Sequence, residues 1–554
     1  MRHVGRVALA AAAVLGAVAL TAPVAVSQDA GSELEQRLID AACSMPPLLL
    51  ERTLRGYRPD RTGEIQLLPD EPDFVGHGGL PHSGPWDYIS RVPLLWYGPG
   101  HVPATGPLER RVTLADVAPT QGELLEDFDF DAPDGEVLHD ALLPAEQRGE
   151  PPSLLVVVVW DGAGTEVLAE HPDAWPNLAG LIDEGVWYTR AEVGSSPPST
   201  AQIHATIGTG AFSRTHGLVA HQFRIGERMA TPWEAGPRYL IRPTIADLYD
   251  RATGNRALIG VSATVAIHLG MVGHGSLWGG GDKDIVVLRE REGAATLGAE
   301  GIRWNLTSNV RPWFRIPSYV NDLPPIATYF DPVDRIDGRI DGRWRDLELD
   351  GDISHHGFRT PARIPYQTRL VEEMIRREGF GADDVPDMLY INYKLIDEIG
   401  HVNSMNSVEM RDSIEAEDAN LPVLIDVLNR EVGEGRWVMA LTADHGHTPD
   451  PEVTGAGVIS PTHLGTLLRS EFDSDGDEIS IVDTVQPTSV FLNVRELADE
   501  GVDLAQVADF ILGLTKGQLS GETWPVPEEQ RDEPAFLAVF PSELLDRLPC
   551  APNE

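Results

Sequence analysis

The chain has 554 residues, with 43 Lys and Arg against 86 Asp and Glu, which gives a formal net charge of −43 at pH 7. This charge argues against binding nucleic-acid polymers or anionic lipid through the overall field, whereas a metal site is compatible with it. The length allows a large core and more than one domain.

The first 27 residues are typical of a signal peptide. Arg2 and Arg6 precede an almost wholly apolar stretch at 7–20, and Ala25-Val26-Ser27 offers a small-residue cleavage site. The stretch is too short for a membrane anchor, and no later segment reaches the length of a membrane span. We therefore expect a secreted protein that does not bind membranes.

Before residue 150, the sequence predicts a helix at 34–42, extended segments at 64–68 and 92–97, and a second helix that begins at 114. An acidic connection at 126–152 leads to an apolar run at 154–160, followed by a predicted helix at 176–184. A short β-branched run that ends in Asp-Gly indicates a buried parallel strand.

The segment at about 225–365 has weak periodicity and a Gly-rich loop at 273–281, and we interpret it as an insertion or lid on an α/β core. Its basic residues could bind a second charged group, although charged side chains usually face water. These residues are Lys283, Arg289 and Arg291. Further elements are predicted as helices at 367–378 and 408–429 and as strands at 387–393 and 437–443.

Carboxylates follow three predicted strands: Asp161, Asp397 and Asp444. His401 comes four residues after Asp397, and His445 directly follows Asp444. Asp and His suit Zn²⁺, and open strand ends are where α/β sheets place their chemistry. Two such clusters that face one hydroxyl would form a two-metal hydrolytic site.

A Ser-Thr pair, Ser199-Thr200, follows two prolines and is predicted to begin a helix. Backbone N–H groups at a helix start favour an oxyanion or alkoxide. The simpler interpretation of the pair is an ordinary helix N-cap.

These motifs resemble the alkaline phosphatase superfamily, and most closely its type I phosphodiesterase/nucleotide pyrophosphatase branch. The resemblance implies that one zinc ion is held by Asp161, Thr200, Asp444 and His445, and the other by Asp397 and His401. It also implies Thr200 as the nucleophile. The motifs are Val159-Trp160-Asp161-Gly162, the segment 200–210, Asp397-x-x-Gly400-His401 and Asp444-His445-Gly446.

The family's last histidine ligand is missing from its usual place near the C-terminus. The segment 79–98, with His82 in Leu80-Pro81-His82-Ser83-Gly84-Pro85, resembles the loop that carries it. We infer a circular permutation in which His82 completes the Asp397/His401 zinc site and residues 28–150 correspond to the family's C-terminal part. Residues 151–554 would then form the main catalytic part.

Only two cysteines occur, and an exported protein could pair them or keep two buried thiols. The permutation would make Cys43 and Cys550 neighbours, which favours a disulfide. The resemblance further implies an alkaline-phosphatase-like three-layer α/β sandwich with a central, mostly parallel sheet.

The resemblance implies hydrolysis of small phosphate esters through a phosphothreonine intermediate and two divalent metals. It favours diesters or nucleotide-type pyrophosphates as substrates and zinc as the metal. His221 stands where the branch has a phosphate-binding Asn, and we assign it phosphate binding. A phosphomonoesterase and a non-catalytic extracellular binding protein are the alternatives. The sequence leaves the oligomeric state open.

Overall fold

The computed structural model describes residues 28–76, 79–278, 282–288, 304–349, 359–473, 476–477 and 479–551. The predicted signal peptide therefore lies outside the described residues. No helix in the described ranges is long and apolar enough to cross a bilayer.

A nine-stranded sheet forms the centre of the fold, and only the strand Leu94–Tyr97 runs antiparallel to its neighbours. The large, mostly parallel sheet predicted from the sequence is confirmed. In spatial order its strands are Phe314–Arg315, Asp284–Val287, Ile259–Ser262, Asp387–Tyr393, Leu154–Trp160, Trp437–Thr442, Leu94–Tyr97, Val186–Glu192 and Gly106–Thr113.

Helices pack around this sheet, and their apolar side chains join those of the strands in one large core. The α-helices of six or more residues in the described ranges are Gln28–Cys43, Pro47–Gly56, Val117–Gly122, Thr165–Glu170, Pro176–Glu184, Thr200–Thr209, Ile245–Thr253, Arg363–Met374, Leu395–Asn403, Val408–Leu428, Pro461–Phe472, Val494–Asp499 and Leu504–Leu512.

The segment at about 225–365, interpreted above as an insertion or lid, supplies three strands to the central sheet. These strands are two to four residues long, too short to give a periodic signal in the sequence. This part of the chain therefore contributes to the sheet core, and only its remainder fits the interpretation as a lid.

A second, four-stranded antiparallel sheet joins the two ends of the described chain. Its strands, in spatial order, are Val482–Gln486, Ser489–Leu492, Ile65–Leu68 and Ala538–Pro541. A separate apolar core forms around it from residues near both ends of the chain. Cys43 and Cys550 form a disulfide there, with 5.7 Å between their Cα atoms.

Two buried ion pairs connect elements of the fold. Arg52 is 1% exposed and bonds Glu192 through Nε at 3.0 Å, which ties the helix Pro47–Gly56 to the central sheet. His274 bonds the Asp247 carboxylate through Nδ1 at 2.7 Å and the Leu240 carbonyl through Nε2 at 2.8 Å.

Candidate functional site

Three carboxylates converge at one edge of the central sheet. The strand Leu154–Trp160 lies between Asp387–Tyr393 and Trp437–Thr442 and runs parallel to both. All three strands are fully buried, which explains their largely apolar sequences. The buried Asp161 and Asp444 follow two of these strands, and the buried Asp397 lies in the first turn of the helix after the third.

Thr200 faces these carboxylates from the first residue of the helix Thr200–Thr209. Ser199 precedes it in an extended conformation, so the helix begins at Thr200. The buried Thr200 Oγ1 lies 3.5 Å from His445 Nε2. The predicted hydroxyl therefore lies at the helix N-terminus and points into the site, where backbone dipoles favour negative charge.

His82 reaches the site from a loop that is bonded to the helix Leu395–Asn403. The Leu80 carbonyl accepts a hydrogen bond from His401 Nδ1 at 2.8 Å. His82 Nε2 lies 3.7 Å from Asp397 Oδ1, and His401 Nε2 lies 3.4 Å from the same oxygen. The structure therefore brings together every residue predicted from the sequence as a metal ligand.

The predicted histidine ligands share one hydrogen-bonding pattern. His82 Nδ1 contacts the Pro198 carbonyl at 3.0 Å, and His445 Nδ1 contacts the Gly446 carbonyl at 3.0 Å. A proton on Nδ1 that is donated to a carbonyl leaves the Nε2 lone pair free, which is the usual arrangement for a metal-ligating histidine. His401 follows the same pattern through Leu80.

Lys394 lies at the centre of the site and was not predicted from the sequence. Its Nζ lies 2.7 Å from Asp161 Oδ1, 2.7 Å from Asp397 Oδ2 and 3.1 Å from Thr200 Oγ1. The residue as a whole is 8% exposed. The sequence feature that could have indicated this role is the position of the lysine, directly after a buried strand and three residues before Asp397.

Charge interactions set the protonation of the carboxylates. Burial opposes ionisation of Asp161 and Asp397, but the neighbouring Lys394 ammonium holds the pKa of both well below the usual range. Burial and repulsion by Asp161 raise the pKa of Asp444 well above its ordinary value. Burial lowers the pKa of His445 to about 4, so its ring is neutral at pH 7. The single positive charge of Lys394 is therefore too small to neutralise all three buried carboxylates when they are ionised.

The donor atoms fit divalent metals. Among the described residues, none donates a hydrogen bond to Asp397 Oδ1 or Asp444 Oδ2, although both atoms are buried. Two ligand atoms of one tetrahedral zinc ion lie about 3.4 Å apart, given zinc–ligand bonds of about 2.1 Å. The distances of 3.4 and 3.7 Å around Asp397 match this spacing.

A second set of atoms has the same spacing. His445 Nε2 lies 3.3 Å from Asp444 Oδ2, 3.7 Å from Asp161 Oδ1 and 3.5 Å from Thr200 Oγ1. Potential metal-binding groups occur in both places, one with Asp397, His401 and His82 and one with Asp161, Asp444 and His445. The residues present fit two adjacent ions.

Further polar residues surround Asp161. Asn392 Nδ2 donates to Asp161 Oδ2 at 2.8 Å, and His268 Nε2 lies 3.3 Å from that oxygen. His204 contacts the Thr200 carbonyl through Nδ1 at 2.8 Å, one turn along the same helix. These contacts orient Asp161 and the start of the Thr200 helix. The roles of Asn392 and His268 were not predicted, because their neighbours come from distant parts of the chain.

Of the other predicted binding residues, His221 and Lys283 lie in the described part of the chain. His221 is exposed to solvent in the turn after the helix Ser213–His216. The surrounding protein still desolvates its ring in part, which together with the Lys394 charge lowers its pKa. Lys283 donates to the Arg311 carbonyl at 2.8 Å from an exposed position. Arg289 and Arg291 lie outside the described residues.

Comparisons with known proteins identify one family. The model of the type I phosphodiesterase / nucleotide pyrophosphatase family matches residues 155–539. The alkaline phosphatase PafA of Elizabethkingia meningoseptica is 25% identical over 162 residues, which cover 28% of this chain and 29% of that protein. A calcium-transporting ATPase of Myroides odoratus is 21% identical over 465 residues, which cover 73% of this chain and 80% of that protein.

The match to the first of these relatives thus spans less than a third of its length. The crystal structure of wild-type PafA superposes on 65% of this chain and 76% of its own, with a TM-score of 0.48 and 18% identity.

Proposed function

Since the chain belongs to the type I phosphodiesterase / nucleotide pyrophosphatase family, we propose that it is a secreted hydrolase of small phosphate esters. In this proposal Thr200 is the nucleophile, and the site holds two divalent metal ions, with zinc as the favoured metal. Phosphodiesters or nucleotide-type pyrophosphates are the favoured substrates.

One observation carries the proposal: the Thr200 hydroxyl lies at a helix N-terminus, within 3.5 Å of a neutral imidazole and 3.1 Å of an ammonium. A hydroxyl in this environment is activated as a nucleophile, because its alkoxide form is stabilised by positive charge and by helix dipoles. A catalytic site that binds metal also explains why three carboxylates are buried together, since burying them without a function would only destabilise the fold.

Asp397, His401 and His82 would hold one ion, and Asp161, Asp444, His445 and Thr200 the other. Bound there, the ions would act as Lewis acids and neutralise charge on the attacking and leaving oxygens. Thr200 Oγ1 accepts a hydrogen bond from Lys394 Nζ. The Thr200 hydroxyl gives its proton to solvent and attacks phosphorus, and the bond from phosphorus to the leaving oxygen breaks as that oxygen takes up a proton from solvent. Water then hydrolyses the phosphothreonine ester, which releases the phosphoryl product and regenerates Thr200.

Besides the nucleophile, the side chains of Lys394 and His221 would contact the substrate. Lys394 already lies against the nucleophile, so its ammonium is close to any phosphoryl oxygen that Thr200 attacks. His221 would donate to a phosphoryl oxygen from the turn after the helix Ser213–His216.

The position of His82 supports a circular permutation as part of this proposal. Its loop lies beside His401, 315 residues earlier in the chain than Asp397, and both ends of the described chain meet in the four-stranded sheet. Chains whose ends lie close together tolerate such rearrangement. The Cys43–Cys550 disulfide would fasten the new ends and fits an oxidising, extracellular location.

A phosphomonoesterase is the second candidate, favoured by the alkaline phosphatases among the relatives. The experiment measures metal content together with hydrolysis of a nitrophenyl phosphomonoester and a nitrophenyl phosphodiester. Thr200→Ala should abolish both hydrolyses with metal retained, and Thr200→Ser should keep partial activity. The better-hydrolysed ester identifies the substrate class.

His82→Ala tests the permuted ligand, with His139→Ala as an exposed control histidine. Loss of one metal and of activity only in His82→Ala supports the proposal. Full activity in His82→Ala would contradict the permutation, and a wild-type protein without metal or activity would indicate a binding protein instead.

A further inference from the structure

His447 is a fully buried histidine beside the metal site, two residues after His445. Among the described residues, neither ring nitrogen has a hydrogen-bond partner. A buried polar group without a partner destabilises the folded state. This imidazole therefore requires an explanation that packing alone does not supply.

The ring approaches the same oxygen as the two predicted ligands of one metal. His447 Nε2 lies 3.6 Å from Asp397 Oδ1, compared with 3.4 Å for His401 and 3.7 Å for His82. All three distances match the edge of a zinc tetrahedron, which is about 3.4 Å. Lys394 uses the other oxygen of Asp397, so it does not compete for this position.

His445 also approaches this cluster, because its Nε2 lies 3.7 Å from Asp397 Oδ1 and its ring centroid lies 5.7 Å from that of His447. The stacking of His445 on His82 is what excludes both of these histidines from one ion. Rings bound through Nε2 to one tetrahedral ion have centroids about 5 Å apart, because each centroid lies roughly 3.2 Å from the ion. The centroid distances are 5.0 Å for His82–His401, 5.5 Å for His401–His447 and 5.8 Å for His82–His447. His82 and His445 stack at 3.5 Å, which is too close for two ligands of one ion.

Two glycines next to metal ligands form a slot for the His447 ring. A Cβ on Gly400 would lie 2.4 Å from His447 Nε2, and one on Gly162 would lie 2.5 Å from the same atom. Gly162 also has a φ of +81°, which disfavours other residues. Only residues without a side chain at both positions leave room for the ring beside Asp397.

We propose that His447 is a third histidine ligand of the metal at Asp397, so that this ion has four protein ligands. The inference rests on the proposed function, which supplies the metal. Catalytic zinc sites usually have three protein ligands and an open position, whereas four ligands close the tetrahedron. The ion at Asp397 would therefore be the more tightly held of the two, and substrate would bind it by expanding its coordination.

The test uses the full chain loaded with Co²⁺, whose visible absorption depends on coordination number and geometry. His447→Ala should weaken binding of one of the two ions by about 100-fold or more, since even changes outside the ligand shell cost 10–100-fold. The absorption band of that ion should change as well. Added imidazole should restore both properties in His447→Ala, because it can occupy the vacated space and bind the ion.

Gly400→Ala supplies an independent variant, because its Cβ would displace the ring while every histidine remains. It should reproduce the weakened binding of one ion. His171→Ala, which removes a buried histidine bonded to the Met405 carbonyl, and Gly180→Ala, on an open helix surface, are the controls and should bind both ions normally.

Unchanged affinities and spectra in folded His447→Ala and Gly400→Ala would overturn the inference while the proposed function stands. If His447→Ala does not fold, Gly400→Ala decides alone. A wild-type protein that binds no Co²⁺ would overturn the proposed function and the inference together.

Discussion

Replacing Lys394 with Met tests whether the ammonium acts in catalysis or only balances charge. Methionine is close in length and apolar, so the change removes the charge and the donor with little change in volume. Lys394 Nζ contacts two carboxylates at 2.7 Å and the Thr200 hydroxyl at 3.1 Å. The substitution therefore removes one donor to the reacting oxygen and the positive charge between two buried carboxylates.

Two effects of different size and kind follow. Loss of a positioned donor to a reacting oxygen costs about 2.7–4 kcal/mol, so kcat should fall by about 10²–10³-fold. Loss of one partner from a buried ion pair costs about 3–5 kcal/mol, so the metal-free protein should unfold at lower temperature. Metal affinity should rise, because the ammonium repels cations that the same carboxylates bind.

The assay is steady-state hydrolysis at saturating metal, together with thermal unfolding of the metal-free protein. Lys516→Met is a matched control, because Lys516 is also 8% exposed and its Nζ lies 2.7 Å from Asp73 and 2.8 Å from Glu533. It should lose stability and keep its kcat. An unchanged kcat in the metal-saturated Lys394→Met protein would refute a catalytic contact with Thr200.

Three further predictions concern stability. Arg52→Met should lower the free energy of unfolding by about 3–5 kcal/mol in denaturant titrations, because the buried Glu192 carboxylate loses its partner. The control Arg411→Met breaks an exposed ion pair with Glu415 on one helix and should lower it by at most about 0.5 kcal/mol. Burial lowers the pKa of His274, but the bonded Asp247 carboxylate raises it, and the net shift is upward. The stabilisation of the folded protein by this ion pair should therefore be full below roughly pH 6.5 and lost at higher pH. The melting temperatures of wild type and His274→Gln should accordingly converge as the pH rises. A gap that widens with pH would contradict this sign. Cys43→Ser should lower the free energy of unfolding by about 2–4 kcal/mol, and an unchanged melting temperature would show that the bridge does not stabilise the chain.

The strand-end carboxylates could be predicted from local sequence. A strand buried on both faces is largely apolar, so the first polar residue after the apolar run indicates where the strand ends. Asp161 and Asp444 follow such strands, and parallel neighbours place their carboxyl ends together. His82 was different, since no local pattern marks a loop histidine as a ligand, and only its likeness to a family motif indicated its place.

Lys394 and His447 could not be assigned from local sequence, because their partners are set by packing. A lysine after a strand is usually solvated, and Lys394 is buried only because three carboxylates from separate elements surround it. The slot for His447 depends on two glycines that lie 285 and 47 residues earlier in the chain, Gly162 and Gly400. The short sheet strands within 225–365 were missed for a related reason, because two to four residues carry no periodicity.

The charge of Lys394 also bears on which ester the site prefers. At neutral pH a phosphomonoester carries one more negative charge at phosphorus than a diester, and the ammonium lies beside the nucleophile that attacks this phosphorus. Two unit charges 4 Å apart attract by about 4 kcal/mol at an effective dielectric constant near 20. Lys394→Met should therefore lose more kcat/KM toward a nitrophenyl phosphomonoester than toward the diester. Equal losses for both esters would mean that Lys394 acts on Thr200 alone and does not discriminate between the substrates.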